Sequence, residues 1–247
     1  MRSRKSLFAG IIVLVLLVSH FAPVVFSAEK IEKYIPNAAS SEQGMTLWQI
    51  ILSGGGIMIL LALLSIAALS LVIYYFMTLK PESLLPEPFM KKAFDLVENK
   101  KFDEAKKVCQ ENDNLVSDVL LAGLSRAGME KIVIKETMQE KGRRSIDGLW
   151  QKLSYLGDIA AIAPMVGLLG TVLGMIQAFN VIAFQTGAVK PILLASGISK
   201  AMITTATGLI VAIPAMIFYS YFRGKIQDVS SRFENISTEL FQMITEK

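Results

Sequence analysis

The stretch that decides the fold reads IAPMVGLLGTVLGMI at residues 162–176. It lies within residues 159–189, which carry no Asp, Glu, Lys or Arg, and residues 43–79 and 201–222 form two more such blocks. Crossing the hydrocarbon core of a bilayer takes about 20 mainly apolar residues. The sequence therefore predicts an all-α membrane protein with three transmembrane helices, and it disfavours a single soluble domain.

Small residues follow one another at helical spacing along the second predicted span. Four of them share one face: Gly167, Thr171, Gly174 and Ala178. Gly170 and Gly174 have the four-residue spacing that permits close approach of two membrane helices. Pro164 can bend the helix and leave a carbonyl for a hydroxyl or water. One interpretation is tight packing with Thr171 bonded to its own backbone, and the other is a polar face.

The third predicted span contains a lysine and several threonines. At helical spacing one face carries Lys200, Thr204, Thr207 and Val211. Thr205 is turned by roughly 140° from Lys200 on the helix. Polar side chains in a span are costly unless they face protein or water. Lys200 either reaches the outer surface or joins the Thr171 face in a hydrated path or a socket for a partner's charged helix.

Histidine and cysteine occur once each, as His20 and Cys109. Neither a disulfide framework nor a Cys/His metal site can be assembled within one chain. If His20 is cleaved off, no Ser-His or Cys-His pair remains for catalysis. We therefore predict no enzyme activity, no metal and no cofactor. The formal net charge of +4 is too small to indicate nucleic-acid binding.

The N-terminus has the order of a secretory signal. Basic residues at 2–5 precede an apolar stretch at 7–18 and small residues at 27–28. We expect cleavage after Ser27, and the alternative is an uncleaved extra helix. Lys and Arg concentrate in residues 80–158 and 223–247. By the positive-inside rule these segments are cytoplasmic, with the mature N-terminus outside.

The resulting layout has eight segments. In chain order these are a signal peptide at 1–27, a periplasmic segment at 28–45, a first span at 46–79, a cytoplasmic helical domain at 80–157, a second span at 158–185, a periplasmic loop at 186–191, a third span at 192–222 and a cytoplasmic tail at 223–247. Residues 112–114, Asn-Asp-Asn, predict a turn between two amphipathic helices of the cytoplasmic domain. Cys109 is expected to be a small core residue.

Two motifs resemble one family of membrane proteins. The first is GLLGTVLGMI at residues 167–176, preceded by Ala163 and Pro164, and the second is GISKAMITTATGL at 197–209, followed by AIPA at 212–215. Both resemble the ExbB/TolQ/MotA family of proton-driven motor subunits, and the ExbB branch most of all. The resemblance extends over most of the mature chain, from the first span to the helical hairpin.

The resemblance implies a homo-oligomeric, pentameric helical barrel in the bacterial inner membrane. Its lumen would hold helices of an ExbD/TolR-like single-span partner whose membrane aspartate carries the proton. The resemblance places Thr171 and Thr205 beside that aspartate, and Lys200 and Thr204, which share a face of the third span, complete the set of residues expected to line the proton path. The residues that would pack the helices are Gly167, Gly170, Gly174, Pro164, Gly208 and Pro214. Where this chain has Lys200, ExbB-like proteins typically have glutamate.

The function that the resemblance implies is a subunit of a proton channel and motor. In the ExbB branch the proton motive force acts through a TonB-like protein to energise outer-membrane transport. Two alternatives stay open. One is a TolQ-like or stator-like motor with another mechanical output, and the other is a passive membrane scaffold.

Overall fold

A computed structural model describes residues 55–112, 114–184 and 191–245. The described residues form seven α-helices: α1 (Gly56–Thr78), α2 (Pro81–Leu84), α3 (Glu87–Glu98), α4 (Phe102–Gln110), α5 (Leu115–Leu124), α6 (Lys131–Phe184) and α7 (Pro191–Thr245). The predicted signal peptide, periplasmic segment and His20 lie outside the described residues, as do residues 185–190 of the predicted loop.

Three of these helices are long and apolar enough to cross a membrane, namely α1, α6 and α7. They coincide with the three charge-free blocks, so the all-α prediction with three apolar helices is confirmed. Helices α6 and α7 contain 54 and 55 residues. Each contains more than twice the roughly 20 residues that a span requires. Both helices therefore continue far beyond their apolar parts.

By its internal contacts the chain divides into two units. The first contains residues 1–63 and 164–210, and its described part holds residues 164–184 of α6, residues 191–210 of α7 and the first residues of α1. The segments of α6 and α7 run antiparallel, because Gly170 lies against Thr204 whereas Gly174, further along α6, lies against the earlier Ala201. The pairing is close because three of the residues at the contact are glycines or alanines.

The second unit contains residues 64–163 and 211–247. Its core is formed by the short helices together with the charged parts of α6 and α7, which are also antiparallel, with Gly142 lying against Phe233. Helix α5 begins at a capping box, in which Asn114 Oδ1 accepts from the Ser117 amide at 2.9 Å and Ser117 Oγ accepts from the Asn114 amide at 3.1 Å. The break between α4 and α5 falls at the predicted turn, of which Asp113 lies outside the described residues. Cys109 is buried in the core beside it, as expected.

Within the second unit, the end of α1 is fixed to both long helices. The buried Tyr75 donates its hydroxyl hydrogen to the carbonyl of Lys152 on α6. The Tyr75 ring also packs edge-to-face on Phe222 of α7, with centroids 5.6 Å apart. A buried tyrosine hydroxyl needs a hydrogen-bond partner, and here it finds one in the adjacent backbone.

Candidate functional site

The contact between α6 and α7 in the first unit is formed by a glycine face, which we define as Gly167, Gly170 and Gly174. A Cβ on Gly167 would lie 2.9 Å from the backbone oxygen of Thr204, and one on Gly174 would lie 2.8 Å from the Cβ of Ala201. At Gly170 the same atom would lie 2.7 Å from the Cβ of Thr204. Real Cβ atoms do not approach other atoms so closely, so each of these positions requires glycine at the present helix separation.

Two hydroxyl groups of α7 converge on one carbonyl of α6. Thr205 Oγ1 donates to the Gly167 oxygen at 3.0 Å, and Thr204 Oγ1 lies 3.2 Å from the same oxygen. Thr204 Oγ1 is also 2.7 Å from the Ala201 oxygen of its own helix. Since Gly167 has no side chain, the hydroxyls can reach its carbonyl directly.

The two threonines differ in exposure. Thr204 is only 2% exposed, inside the helix contact, so in this structure it packs the helices and does not border an open path. Thr205 is half-buried at the edge of the same contact. That both line a proton path stays a prediction, and their exposure differs because adjacent residues point about 100° apart on a helix.

Thr171 is half-buried and donates its hydroxyl hydrogen to the Leu168 oxygen at 2.7 Å. Thr171 lies four residues after Gly167, so its own amide is the α-helical donor to the carbonyl that Thr205 also contacts. The Gly167 carbonyl thus lies next to the backbone of Thr171 and the hydroxyl of Thr205. Thr207, in comparison, bonds only within α7, to the Ile203 oxygen at 2.9 Å.

The hydrogen bonds decide what chemistry these hydroxyls can perform. A threonine hydroxyl has one hydrogen to donate and two lone pairs to accept with. In Thr171 and Thr205 the hydrogen is already donated to a backbone carbonyl, so what remains available is the acceptor capacity of Oγ1. An acceptor in an apolar surrounding suits a protonated carboxyl group or a water molecule better than a carboxylate anion.

The remaining predicted residues occupy two kinds of position. Lys200 is exposed on α7, four residues before Thr204. Pro164 and Pro214 lie inside α6 and α7, half-buried, without interrupting either helix. Gly208 is buried, and its Cα would be 3.4 Å from a Cβ on Gly167.

Two residues of α7 to which the sequence gave no separate role, Gly197 and Ala201, also belong to this contact. A Cβ on Gly197 would lie 2.6 Å from that of Ala178, which adds another close pair beyond Gly174 and Ala201. The signal was present in the sequence, because Gly197, Ala201 and Gly208 recur at intervals of four and seven residues along one face of α7.

Most of the apolar surface of the spans is uncovered in the single chain. In the most apolar part of α1 and of α6 only 22% of the residues are buried, and in α7 only 28%. Large exposed side chains include Leu168, Leu169 and Phe179 on α6 and Met202 and Ile213 on α7. Such faces require lipid or other protein helices as neighbours. Among the residues that the structure describes, no group of three or more His, Cys, Asp or Glu side chains could hold a metal ion.

The model of the MotA/TolQ/ExbB proton channel family matches residues 111–235, slightly more than half of the 247 residues. The chain belongs to this family. The match includes both motifs and therefore the whole glycine face with Thr171, Thr204 and Thr205. A membrane protein of the MotA/TolQ/ExbB family was the prediction from the sequence, and it is confirmed.

Three curated relatives support the same family. The chain is 37% identical over 98 residues to the biopolymer transport protein exbB1 of Vibrio cholerae serotype O1, covering 36% of this chain and 43% of that protein. It is 38% identical over 86 residues to the biopolymer transport protein ExbB of Salmonella typhimurium, covering 35% of each. It is 33% identical over 110 residues to the Tol-Pal system protein TolQ of Haemophilus influenzae, covering 43% of this chain and 48% of that protein. The chain thus spans less than half the length of these relatives.

Proposed function

We propose that this chain is an ExbB-like subunit of a bacterial inner-membrane proton channel, which uses the proton motive force to energise TonB-dependent outer-membrane transport. The family match over residues 111–235 carries the proposal, because it includes both helices that form the glycine face. Two of the relatives described above are named biopolymer transport proteins ExbB. On this proposal the chain transports protons and catalyses no covalent reaction.

The uncovered apolar faces of the spans support an assembly of several copies. With 22–28% burial in the spans, most of the membrane surface of one chain is available to neighbouring helices. We propose a homo-oligomer, pentameric as the resemblance implies, in which copies of the chain surround a lumen. Transmembrane helices of an ExbD/TolR-like single-span protein would occupy that lumen.

Thr171 and Thr205 are the groups that we place beside the partner's membrane carboxyl. Both hydroxyls have donated their hydrogen to backbone carbonyls and keep free lone pairs. A protonated carboxyl of the partner could donate to them as it passes, and a water molecule could bridge the same atoms. Proton loading and release would then change the partner's contacts with the barrel and drive relative rotation.

We propose that Lys200 organises the negative charge of the partner and does not itself carry the proton. It is exposed in the single chain, within a span where an unpaired charge is costly. A carboxylate of the partner would remove that cost. The proposed orientation has the mature N-terminus in the periplasm and both the helical domain and the C-terminal tail in the cytoplasm.

A second candidate function is a TolQ-like motor with another mechanical output. It is favoured by the identity of 33% over 110 residues to a Tol-Pal system protein. The two candidates use the same site and differ in the protein that receives the motion. A passive scaffold would use the glycine face for packing alone.

The test is purification of the tagged full chain from native membranes in mild detergent, with identification of what co-purifies. An ExbD-like protein together with a TonB-like protein supports the first candidate, and a TolR-like protein without TonB supports the second. Absence of any single-span protein with a membrane carboxyl would refute both. For a passive scaffold, partners would still be recovered, but uptake in cells would be insensitive to Thr171→Val and Thr205→Val.

A further inference from the structure

In the second unit, α1 and α7 are joined by an aromatic cluster. We define this cluster as Phe76, Phe218, Tyr221 and Phe222. The centroid of the Phe76 ring lies 5.9 Å from that of Phe218, 6.0 Å from that of Tyr221 and 5.0 Å from that of Phe222. Phe222 is fully buried, whereas Tyr221 is 46% exposed. The cluster therefore has an apolar base and an open aromatic edge.

Lys225 is positioned over this open edge. Its Nζ lies 4.8 Å from the centroid of the Tyr221 ring and 5.9 Å from that of Phe76. Both distances are within the range in which an aromatic face attracts a cation. The ammonium group is therefore held at a defined place by two helices, although the lysine side chain is otherwise flexible.

The sequence determines the depth of this arrangement in the membrane. Lys80 is the first charged residue after the apolar block 43–79, and Arg223 is the first after the block 201–222. Lys225, two residues after Arg223, is thus at the boundary between the hydrocarbon and the headgroups. Tyrosine rings and lysine side chains concentrate at this level of a membrane.

The basic groups at this level have no acidic partner among the described residues. Within residues 55–112, 114–184 and 191–245, no carboxylate oxygen lies within 4.0 Å of Lys80, Arg223 or Lys225. Asp158 and Glu82, the acidic residues closest to the boundary, do not pair with them. Further along α7, in contrast, Arg232 pairs with Asp228 at 3.2 Å.

We propose that Lys225, held over Tyr221 and Phe76, binds the phosphate headgroup of an anionic phospholipid. The ammonium group has three N–H donors. The two rings cover it on one side only, so the N–H groups on the other side can donate to phosphate oxygens. Lys80, four residues beyond Phe76, supplies a second positive charge at the same end of α1. Basic sites between helices at the headgroup level bind anionic lipids in this way. The inference depends on the membrane position of the helices and is independent of the proposed channel activity.

The experiment reconstitutes the full chain in phosphatidylcholine bilayers that contain a small amount of spin-labelled phosphatidylglycerol or spin-labelled phosphatidylcholine. The ratio of the immobilised fractions measures the preference for the anionic headgroup. Lys225→Gln should lower this preference about fivefold, the effect of one basic residue near the surface. Lys225→Arg should preserve it, and Tyr221→Leu should lower it although the charge is unchanged.

Arg223→Gln is the matched control. It removes one positive charge from the same helix at nearly the same depth, but at roughly 200° around the helix from Lys225. We expect it to leave most of the preference intact. Equal losses from Arg223→Gln and Lys225→Gln would show unspecific attraction and overturn the proposal, and so would an unchanged preference in Lys225→Gln. Circular dichroism of each variant must show the helix content of the parent protein. If Lys225→Gln does not fold, Tyr221→Leu supplies the test, and an unchanged preference in that variant overturns the proposal.

Discussion

Thr205 is joined to Gly167 by a hydrogen bond of 3.0 Å between its Oγ1 and the Gly167 carbonyl oxygen. The bond connects α7 to α6. Among the described residues, the Gly167 oxygen is the only backbone oxygen that two threonine hydroxyls approach. This bond requires a close contact between the helices, and the contact is possible only because Gly167 has no side chain. Packing and polar chemistry are thus coupled in one small region.

Gly167→Ala should separate the two helices and impair function strongly. The new Cβ would lie 2.9 Å from the Thr204 oxygen and 3.0 Å from the Thr205 Cα, and backbone atoms cannot move aside cheaply. The thermal stability of the purified protein should fall, because the two helices can no longer approach as closely. Gly148→Ala, on the same helix with no atom within 4 Å of the new Cβ, is the control and should lower neither thermal stability nor activity.

Thr205→Val should abolish proton-driven output while the oligomer still assembles. Valine keeps the shape but removes the acceptor oxygen, and hydrogen bonds between membrane helices contribute only about 0.6 kcal/mol on average. Thr205→Ser keeps the hydroxyl and should restore most of the output. The measurement is energised uptake at matched protein abundance, with oligomer size from native electrophoresis. Normal uptake in Thr205→Val would remove Thr205 from the proton path.

Thr204→Val should behave differently from Thr205→Val. Thr204 is 2% exposed and packs against Gly170, so its replacement perturbs the helix contact. It does not remove a hydrogen-bond acceptor that a partner could reach. We expect lower thermal stability and abundance, with residual activity per assembled complex near that of the parent. Activity lost without any loss of stability would place Thr204 on the path after all.

Lys200 is tested by three substitutions at matched expression: Lys200→Arg, Lys200→Gln and Lys200→Glu. If Lys200 pairs with a partner's carboxylate, arginine and glutamine should both impair output, because arginine is bulkier and glutamine is uncharged. A lysine that only reaches the outer surface would tolerate all three. Loss with arginine and glutamine but rescue by glutamate would make this position a proton relay, contrary to our proposal.

Cys109 should be almost inert to alkylation in the folded protein. Burial raises the pKa of its thiol to about 11 from an ordinary value of 9.0. At pH 8 the thiolate fraction should be roughly 100-fold lower than in the unfolded chain, since the two pKa values differ by about two units. Iodoacetamide labelling of native and denatured protein measures this without ambiguity, because the chain has a single cysteine.

The same pKa difference gives the direction of a pH effect on stability. Between about pH 9 and 11 the unfolded thiol ionises while the folded thiol stays protonated, so the free energy of unfolding should fall as the pH rises through this range. Cys109→Ser removes the thiol and should remove this part of the pH dependence. An alkylation rate in the native protein equal to that in the denatured protein would contradict the buried position.

The sequence predicted three long apolar helices correctly because lipid imposes a length and excludes charge, and both constraints are visible in residues 159–189. It also placed Gly170 and Gly174 at a close contact, since small residues at four-residue spacing are typical of the interfaces between membrane helices. How far α6 and α7 extend into the charged regions could not be read from the sequence, because a mixed-charge helix has no feature that marks its end.

The sequence could not separate Thr204 from Thr205. Which of two adjacent residues enters a contact depends on the rotation of α7 about its axis, and that rotation is set by where Gly167 and Gly170 leave room. The position of Lys225 over Tyr221 was also beyond prediction, because the second ring, Phe76, comes from a helix almost 150 residues earlier. Both features arise from tertiary contacts between distant segments.

Proton conduction through a path beside Thr171 and Thr205 is the property on which the proposed function depends. It can be measured as proton entry into liposomes that contain the chain with its co-purified single-span partner, followed with an internal pH-sensitive dye under a potassium diffusion potential. We predict entry with the parent complex and with Gly148→Ala, and entry at the level of empty liposomes with Thr171→Val and Thr205→Val. Proton entry that is unchanged by both threonine substitutions, or absent in the parent complex, would contradict the proposed path.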